Sequence, residues 1–202
     1  DRDSVAARIN KNRGLTLVKP FDNAHVIAGQ GTCGLEIAQQ AADAGVTDAD
    51  VLVCCGGGGL TSGIALALEQ TASSFTVRPC EPEGFDDVAR SLISGKIESN
   101  KQLTGSLCDA IVTPSPGEMT FPILKRLCGT GITLTDDECL HAMALAFDRL
   151  KIVVEPGGAV GLAAALFHGD KLKSETAIAV ATGGNVDASV FKMALDRFGG
   201  TS

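Results

Sequence analysis

The sequence contains no tryptophan and no tyrosine, and it has only 3 histidines in 202 residues. Without Trp and Tyr, the chain lacks the aromatic surfaces on which the bases of single-stranded nucleic acids stack. Positive charge is also scarce, since 17 Lys and Arg residues stand against 24 Asp and Glu residues and the net charge is −7. This acidic balance, with no basic cluster to offset it, argues against nucleic acids and anionic membranes as partners.

Long apolar runs and paired cysteine motifs are missing as well. The longest strongly apolar stretch, residues 157–167, is too short to span a bilayer, and no secretory signal pattern is present. The 7 cysteines are odd in number, and no two of them have C-x-x-C spacing. We therefore expect reduced thiols in a cytoplasmic protein, with Cys54 and Cys55 on opposite faces of one strand.

Short apolar runs alternate with amphipathic ones along the chain. The pattern predicts strands at residues 15–18, 51–55, 75–80, 110–113 and 177–181. It predicts helices at residues 3–12, 34–44, 60–70, 85–94, 118–127, 136–150, 159–167 and 188–198. Thr32 is expected to cap the second of these helices, and Thr135 with Glu138 forms a capping box before the sixth. The alternation indicates an α/β fold with an open, mostly parallel sheet and helices on both faces.

Three of the predicted strands are followed by unusual sequence. Four consecutive glycines, residues 56–59, follow one strand, EPEGFDD at residues 81–87 follows the next, and TGGNVD at residues 182–187 follows the last. Ligands of open α/β sheets bind beyond the carboxyl ends of the strands. A glycine turn at a helix N-terminus bares successive N–H groups, so residues 56–59 predict a cradle for the phosphate of a small molecule.

Two known phosphate-binding patterns fit these glycines less well. A P-loop requires a lysine directly after its last glycine, but Leu60 and Thr61 stand there. The dinucleotide-binding pattern G-x-G-x-x-G has Ser62 at its third glycine position, although Glu81 imitates the acidic residue that binds a ribose. An NAD-binding oxidoreductase is therefore a weaker alternative, and so is a glycine turn that binds nothing.

Five segments occur in a fixed order: VIAGQGT at residues 26–32, GGGGL at 56–60, EPEGFDD at 81–87, EPGGAVGLAAA at 155–165 and TGGNVD at 182–187. Together they resemble the C-terminal part of the fold type II pyridoxal-phosphate (PLP) dehydratases, a family that includes serine and threonine dehydratases, serine racemase and hydroxyaspartate dehydratases. The resemblance implies a tryptophan synthase β-like fold with an incomplete large domain. Residues 1–19 would end a small domain, and residues 20–202 would form the C-terminal part of the PLP-binding domain. Since the sequence begins at Asp1, we expect it to be a piece of a longer chain.

The resemblance implies a PLP site formed by seven residues. In relatives, a glycine loop binds the cofactor phosphate through backbone N–H groups, a serine hydroxyl contacts the pyridine nitrogen, and a glutamate lies near the ring. The corresponding positions are Gly56, Gly57, Gly58, Gly59 and Leu60 for the phosphate, Thr182 for the nitrogen and Glu155 for the ring. A neutral hydroxyl does not protonate the ring, which makes the ring a weaker electron sink and favours prompt β-elimination.

A cation site for Mg²⁺ or Ca²⁺ is also implied by the resemblance. In activated relatives a glutamate, an aspartate and a backbone carbonyl bind the ion, and these positions fall on Glu81, Asp87 and the carbonyl of Phe85. Oxygen ligands of this kind suit hard cations. The alternative is that the acids at residues 86 and 87 only favour the N-terminus of a helix.

The lysine that starts the family's reaction has no counterpart here. Relatives hold PLP on that lysine as a Schiff base, in a motif that this sequence lacks, and the lysines present are expected to be solvated. The parent protein is expected to convert serine, threonine or 3-hydroxyaspartate to a keto acid and ammonia. The lysine would take the α-proton, the β-hydroxyl would leave and the enamine would hydrolyse. The chain alone is expected to be inactive.

Other functions and the partners follow from the same resemblance. A non-catalytic PLP- or phosphate-binding module is an alternative, as is an amino-acid racemase or a β-replacement synthase of the same family. The expected partners are a small amino-acid substrate, the missing N-terminal half of the same protein, and a second copy of the full-length chain, since relatives are usually dimers.

Overall fold

The computed structural model describes residues 2–200, so Asp1, Thr201 and Ser202, which end the domain ranges given above, lie outside the described residues. The strands are β1 (Asp50–Cys54), β2 (Thr76–Pro82), β3 (Ile132–Leu134) and β4 (Ala177–Val180). The α-helices are α1 (Arg2–Arg13), α2 (Ala24–Asp43), α3 (Gly59–Thr71), α4 (Asp87–Ser94), α5 (Thr120–Leu127), α6 (Asp136–Leu145), α7 (Pro156–Phe167) and α8 (Ala188–Phe198).

The sheet is parallel throughout, with the strand order β3-β2-β1-β4. β1 pairs with β2 from Asp50 opposite Thr76 to Cys54 opposite Cys80. On its other side β1 pairs with β4, whose first residue, Ala177, also lies opposite Asp50. The predicted parallel α/β fold is therefore confirmed, and the carboxyl ends of the strands lie at one edge of the sheet.

Alternate residues of β1 pack on opposite faces of the sheet. Leu52 and Cys54 belong to the larger core, which is formed with α6, α7 and α8. Val51 and Val53 pack instead against α3 and the neighbouring side of α2. Because both faces are covered, the strand is apolar on both sides, as is usual for a parallel sheet.

The cysteines contribute to these cores as thiols. Cys54 lies in the larger core, whereas Cys55 packs with Val88 and Leu124 in a separate cluster, so the two neighbours do point to opposite sides. All seven cysteines of the chain are free within the described structure. None of the helices between residues 2 and 200 combines the length and the apolar character that crossing a bilayer requires.

Local side-chain chemistry sets where the helices begin. The predicted capping box is confirmed: Thr135 Oγ1 accepts the N–H of Glu138 at 3.2 Å, and the Glu138 carboxylate accepts the N–H of Thr135 at 2.7 Å. The predicted cap at Thr32 is wrong, because α2 begins earlier, at a cap formed by the side chain of Asn23. Thr32 lies inside α2 and its hydroxyl donates to the carbonyl of Gly29 at 2.8 Å.

Glycines explain why the first part of α2 did not look helical. Instead of breaking the helix, they bring α2 close to α3: a Cβ at Gly34 would lie 2.8 Å from the carbonyl oxygen of Ile64, and one at Gly31 would lie 3.3 Å from that of Gly63. The intrinsic cost of glycine in a helix is offset here by this close packing.

Two predicted strands are wrong, and one strand was not predicted. Within the described chain, residues 15–18 are irregular, because their apolar side chains stay exposed instead of entering the sheet, and Val18 is 71% exposed. Residues 110–113 fall on a short 3₁₀ turn, Asp109–Ile111, and the loop after it. β3 has only three residues, too few to show an alternating pattern. The helix predicted at residues 136–150 ends in a π-helical turn, and the remaining predicted elements are confirmed with small shifts at their ends.

A buried ion pair ties the strands together at the end of the sheet opposite the glycine loop. Asp50 of β1 and Arg78 of β2 are 0% and 2% exposed, and the guanidinium Nε donates to Asp50 Oδ1. Asp50 Oδ2 accepts the N–H groups of Lys173 at 2.6 Å and Ser174 at 2.8 Å, just before β4. Burial alone would raise the pKa of the Asp50 carboxyl, but the hydrogen bonds from Ser174, Arg78 and Lys173 outweigh it, so that the pKa lies below its usual 3.8.

Replacing Asp50 by alanine is expected to cost about 3–5 kcal/mol of unfolding free energy at neutral pH, because it leaves the Arg78 guanidinium buried without its partner. Urea denaturation measures the loss. Because the pKa of Asp50 is lowered in the folded state, its stabilisation is present above about pH 3.8 and is lost as the pH falls further. The difference between the parent and Asp50→Ala should therefore narrow in acid.

The exposed pair Lys192–Asp196 provides the control, since its side chains are 73% and 58% exposed. Asp196→Ala should change the stability little. Equal losses for Asp50→Ala and Asp196→Ala would contradict the role given to the buried pair.

Candidate functional site

Two of the three unusual strand ends meet at one cavity of about 330 Å³. Residues 56–59, here called the glycine loop, follow β1, and residues 182–187 follow β4, the strand beside it. The volume lies in the range of pockets that bind small molecules. The third strand end, residues 81–87 after β2, is not among the residues that line this cavity.

The cavity brings together five separate segments of the chain. All seven residues predicted to bind the cofactor line it: Gly56, Gly57, Gly58, Gly59, Leu60, Glu155 and Thr182. The lining is completed by residues that the sequence did not single out for this purpose: Pro20, Phe21, Cys54, Cys55, Thr61, Ala110, Ile111 and Thr113.

The glycine loop carries unpaired hydrogen-bond donors. Within residues 2–200, the N–H groups of Gly56, Gly57 and Gly58 make no hydrogen bond to the protein. Gly59 and Leu60 open α3, where the first N–H groups of a helix have no acceptor inside the helix. The loop and the first turn of α3 therefore present a row of backbone donors at the positive end of a helix dipole.

Close packing explains why the loop consists of glycines. A Cβ at Gly57 would overlap the ring of Phe21, and one at Gly59 would lie 3.0 Å from Phe21 Cα. Gly58 has a φ of +89°, a conformation that residues with a Cβ rarely adopt, and a Cβ there would lie 2.7 Å from Leu124 Cδ1. The glycines thus have a packing reason of their own, and the cavity nevertheless stays open beside them.

Hydrogen bonds from the start of α5 hold the loop from behind. The Gly57 carbonyl accepts the Thr120 hydroxyl at 2.6 Å and the N–H of Gly117 at 3.2 Å. Asp22 fixes the same region, because its Oδ1 accepts the N–H of Met119 at 2.8 Å. These three contacts occupy a carbonyl of the loop and leave its N–H groups available.

Thr182 and Glu155 lie at the other end of the cavity. Thr182 Oγ1 is 3.3 Å from the Sγ of Cys54, and the N–H of Thr182 donates to the carbonyl of Gly158 at 3.3 Å. The N–H of Glu155 donates to the carbonyl of Gly183 at 2.9 Å, and Glu155 Oε2 accepts the N–H of Asn185 at 3.1 Å. Backbone contacts therefore fix the loop after β4 on the N-terminus of α7.

Two further hydroxyl groups lie in the wall of the cavity. Thr113 is 7% exposed and its Oγ1 has no hydrogen-bond partner within the described residues. Thr61, in the first turn of α3, is fully buried and its hydroxyl lies beside the Cys55 thiol. A buried polar group without a partner is costly, so Thr113 is a candidate contact for a bound molecule. No sequence pattern indicated it, because it lies in a loop predicted as a strand.

The residues predicted to bind a cation lie together but apart from this cavity. Both oxygens of Glu81 accept N–H groups from the first turn of α4, at 2.9 Å from Val88 and 2.7 Å from Ala89. Asp87 Oδ1 accepts the side-chain amide of Asn100 at 2.6 Å, while its buried Oδ2 has no partner in the described chain.

Burial raises the pKa values of both carboxyl groups at this second location. For Glu81, burial and then the nearby charge of Asp87 raise the pKa well above its usual value. For Asp87, burial raises the pKa to about 6. The carbonyl of Phe85 belongs to the turn between these acids. Among residues 2–200, however, there is no cluster of three or more His, Cys, Asp or Glu side chains arranged to bind a metal.

No lysine of this chain reaches the cavity. All nine lysines are exposed, and the cavity lining contains none of them. Lys19 comes nearest in sequence and lines an adjoining groove of about 510 Å³, which shares Pro20, Phe21 and Thr113 with the cavity. The described residues therefore supply groups that bind and orient a ligand, without an amine that could react with it.

Comparison with known proteins supports the resemblance seen in the sequence. A profile described as pyridoxal-phosphate dependent enzyme matches residues 1–183. The serine racemase of Dictyostelium discoideum is 38% identical over 192 residues, which cover 93% of this chain and 57% of the racemase. The L-threo-3-hydroxyaspartate ammonia-lyase of Saccharomyces cerevisiae is 34% identical over 187 residues, which cover 93% of this chain and 56% of that enzyme.

A solved structure agrees with these sequence relatives. A threonine deaminase from the organism abbreviated T.th. superimposes with a TM-score of 0.87 and 42% identity, over 92% of this chain and 62% of the deaminase. The chain thus spans a little over half the length of the curated relatives named above. The predicted fold type II architecture is confirmed, and the chain belongs to the pyridoxal-phosphate dependent enzyme family.

Proposed function

We propose that this chain is the cofactor-binding part of a PLP-dependent ammonia-lyase that dehydrates a small β-hydroxy amino acid. The observation that carries the proposal is the row of unpaired N–H groups at Gly56, Gly57 and Gly58 beside an open cavity. A phosphate dianion offers several acceptor oxygens, and it is favoured at the N-terminus of a helix. The residues present therefore fit the phosphate end of PLP.

The ring end of the cofactor fits the opposite side of the same cavity. There the Thr182 hydroxyl would contact the pyridine nitrogen, while Glu155 would lie near the ring. PLP, when bound, supplies an electron sink for the bond that breaks at the α-carbon of an amino acid. Thr182 offers a neutral hydroxyl and not a carboxylate, so it would hold the ring without protonating it.

The substrate is proposed from the relatives. Their names include serine racemase, threonine deaminase and L-threo-3-hydroxyaspartate ammonia-lyase, so serine, threonine and 3-hydroxyaspartate are the candidates. We propose dehydration to a keto acid and ammonia, with racemisation as the alternative that the serine racemase supports. The residue that removes the α-proton would be a lysine from the part of the relatives' length that this chain does not span, and a full-length dimer would be the active form.

Calorimetric titration of the purified chain tests the cofactor assignment. The chain is expected to bind PLP and not NAD(H), and Thr182→Val should weaken PLP binding about fivefold because it removes one neutral hydrogen bond of about 1 kcal/mol. Thr182→Ser, which keeps the hydroxyl, is the control and should bind like the parent. Tight NAD(H) binding without affinity for PLP would contradict the proposal.

Borohydride treatment tests whether this chain reacts with the cofactor. Because all nine lysines lie outside the cavity, reduction of the chain with PLP should label no single lysine stoichiometrically. Mass spectrometry of the intact chain and of its peptides measures this. One stoichiometrically labelled lysine would show that the chain contains the reactive amine.

Gly58→Ala is expected to weaken the binding of PLP and of inorganic phosphate. The positive φ of Gly58 makes alanine unfavourable by about 1–2 kcal/mol, and the new Cβ would press on Leu124 and shift the loop. Gly29→Ala is the matched control, since Gly29 lies in α2 with open space around it and alanine favours a helix. Unchanged phosphate affinity in a folded Gly58→Ala protein would contradict a role for the loop in phosphate binding.

We further propose that Glu81, Asp87 and the carbonyl of Phe85 bind Ca²⁺ or Mg²⁺ as a structural ion. The proposal is supported by two adjacent buried carboxyl groups and by the unpaired Oδ2 of Asp87. A cation would offset the charge that burial makes unfavourable, and oxygen donors suit a hard cation. Each oxygen of Glu81 already accepts one N–H, so water would complete the coordination shell.

Calcium is expected to raise the melting temperature of the parent chain, measured against a sample in chelator. Asp87→Asn should remove this response, because it takes away a charged oxygen ligand. The control is Asp86→Asn, at the neighbouring, half-buried position where the carboxylate pairs with Arg90. A melting temperature that ignores both Ca²⁺ and Mg²⁺ would contradict the ion site.

A further inference from the structure

Cys54 makes a contact in the cavity that the proposed function does not use. It is the last residue of β1, it is 5% exposed, and its Sγ lies 3.3 Å from Thr182 Oγ1. This distance is within the reach of a hydrogen bond to sulfur. Because Thr182 follows β4 and β4 pairs with β1 in parallel, the register of the sheet itself builds the contact.

The chemistry of the two groups gives this hydrogen bond a direction. Thiol sulfur is a weak acceptor, whereas a hydroxyl oxygen accepts well, so the S–H group donates and Thr182 Oγ1 accepts. Burial raises the pKa of the Cys54 thiol, against the opposing effect of the Thr182 bond, and the nearby Glu155 and Cys108 raise it further. The thiol therefore keeps the proton that it donates at neutral pH.

Once Thr182 accepts from Cys54, the proton of its own hydroxyl needs a different acceptor. Within residues 2–200, no acceptor other than the Cys54 sulfur lies within hydrogen-bond distance of Thr182 Oγ1. A second hydroxyl in the same cavity, that of Thr113, is 7% exposed at the residue level and also unpartnered. Both observations indicate a ligand with acceptor atoms in the cavity.

We propose that Cys54 is a positioning residue whose S–H bond to Thr182 turns the Thr182 hydroxyl into a donor toward the ligand. Resting on the proposed function, the acceptor is the unprotonated ring nitrogen of PLP. A protonated ring nitrogen would itself be a donor and would meet another donor at Thr182. The Cys54–Thr182 pair therefore selects the unprotonated form of the ring.

Infrared difference spectroscopy of the S–H stretch tests the first half of this proposal without any cofactor. Subtracting the spectrum of Cys54→Ala from that of the parent isolates the band of Cys54 among the seven thiols. In a Thr182→Val background, the band should move to the higher frequency of a free S–H group. A band that stays in place would overturn the proposal.

The second half is tested with pyridoxine 5′-phosphate labelled with ¹⁵N in the ring, which needs no lysine for binding. In the parent, the ¹⁵N chemical shift at neutral pH should be that of an unprotonated ring nitrogen. Cys54→Ala should weaken binding about threefold to fivefold and shift the ring nitrogen toward the protonated form. Cys54→Ser keeps a donor and should restore the parent spectrum.

Cys80→Ala is the matched control, because Cys80 is a buried thiol opposite Cys54 on β2 whose S–H donates to the Arg78 carbonyl instead. It should leave the ¹⁵N shift unchanged, and an equal shift in Cys80→Ala would overturn the proposal as a general effect of loosening the core. A parent chain that binds no labelled ligand would overturn the proposed function and this role of Cys54 with it. If the ligand binds while the Cys54 S–H band or the ¹⁵N shift does not respond as described, only the role of Cys54 is overturned.

Discussion

The unpaired N–H groups of the glycine loop are the feature on which the rest of the site depends. A donor that loses water without gaining an acceptor costs about 1–3 kcal/mol, so several adjacent free donors are unusual in a folded protein. The fold keeps them in place from both sides, with the ring of Phe21 against the loop and Thr120 bonded to its carbonyl. A rigid loop of this kind binds an anion without first having to reorganise, which makes a phosphate the natural ligand.

The parallel sheet links this loop to the polar groups at the far side of the cavity. Asp50 and Arg78 pin β1, β2 and the segment before β4 at one end of the sheet, where burial excludes water and no ligand binds. At the other end, the same register places the ends of β1 and β4 side by side, and Cys54 meets Thr182 there. Stability and binding are thus separated along the strands, so that the open carboxyl edge can hold polar groups without weakening the core.

Local sequence pattern was sufficient where the structure is locally determined. The capping box of Thr135, the strand before the glycine loop and the last helix needed only neighbouring residues. It failed where tertiary packing decides, as in residues 15–18, which are apolar but exposed, and in α2, whose glycines serve a close contact with α3. The glycine loop and Thr182 were found because their motifs are contiguous. The Cys54–Thr182 contact joins residues 128 positions apart, and no single-sequence pattern encodes such a pair.

The neutral character of the ring end argues for elimination over slower chemistry. Thr182 and Cys54 carry no charge at neutral pH, and the Glu155 carboxylate is bonded to the backbone of the loop that holds Thr182. A ring that stays unprotonated withdraws electrons less strongly, so a carbanion at the α-carbon would not persist. Loss of a β-hydroxyl relieves that charge at once, whereas racemisation requires the carbanion to last until it is reprotonated on its other face. The geometry of this half of the site is therefore better matched to dehydration, and a lysine contributed from outside the described residues would only need to remove the proton.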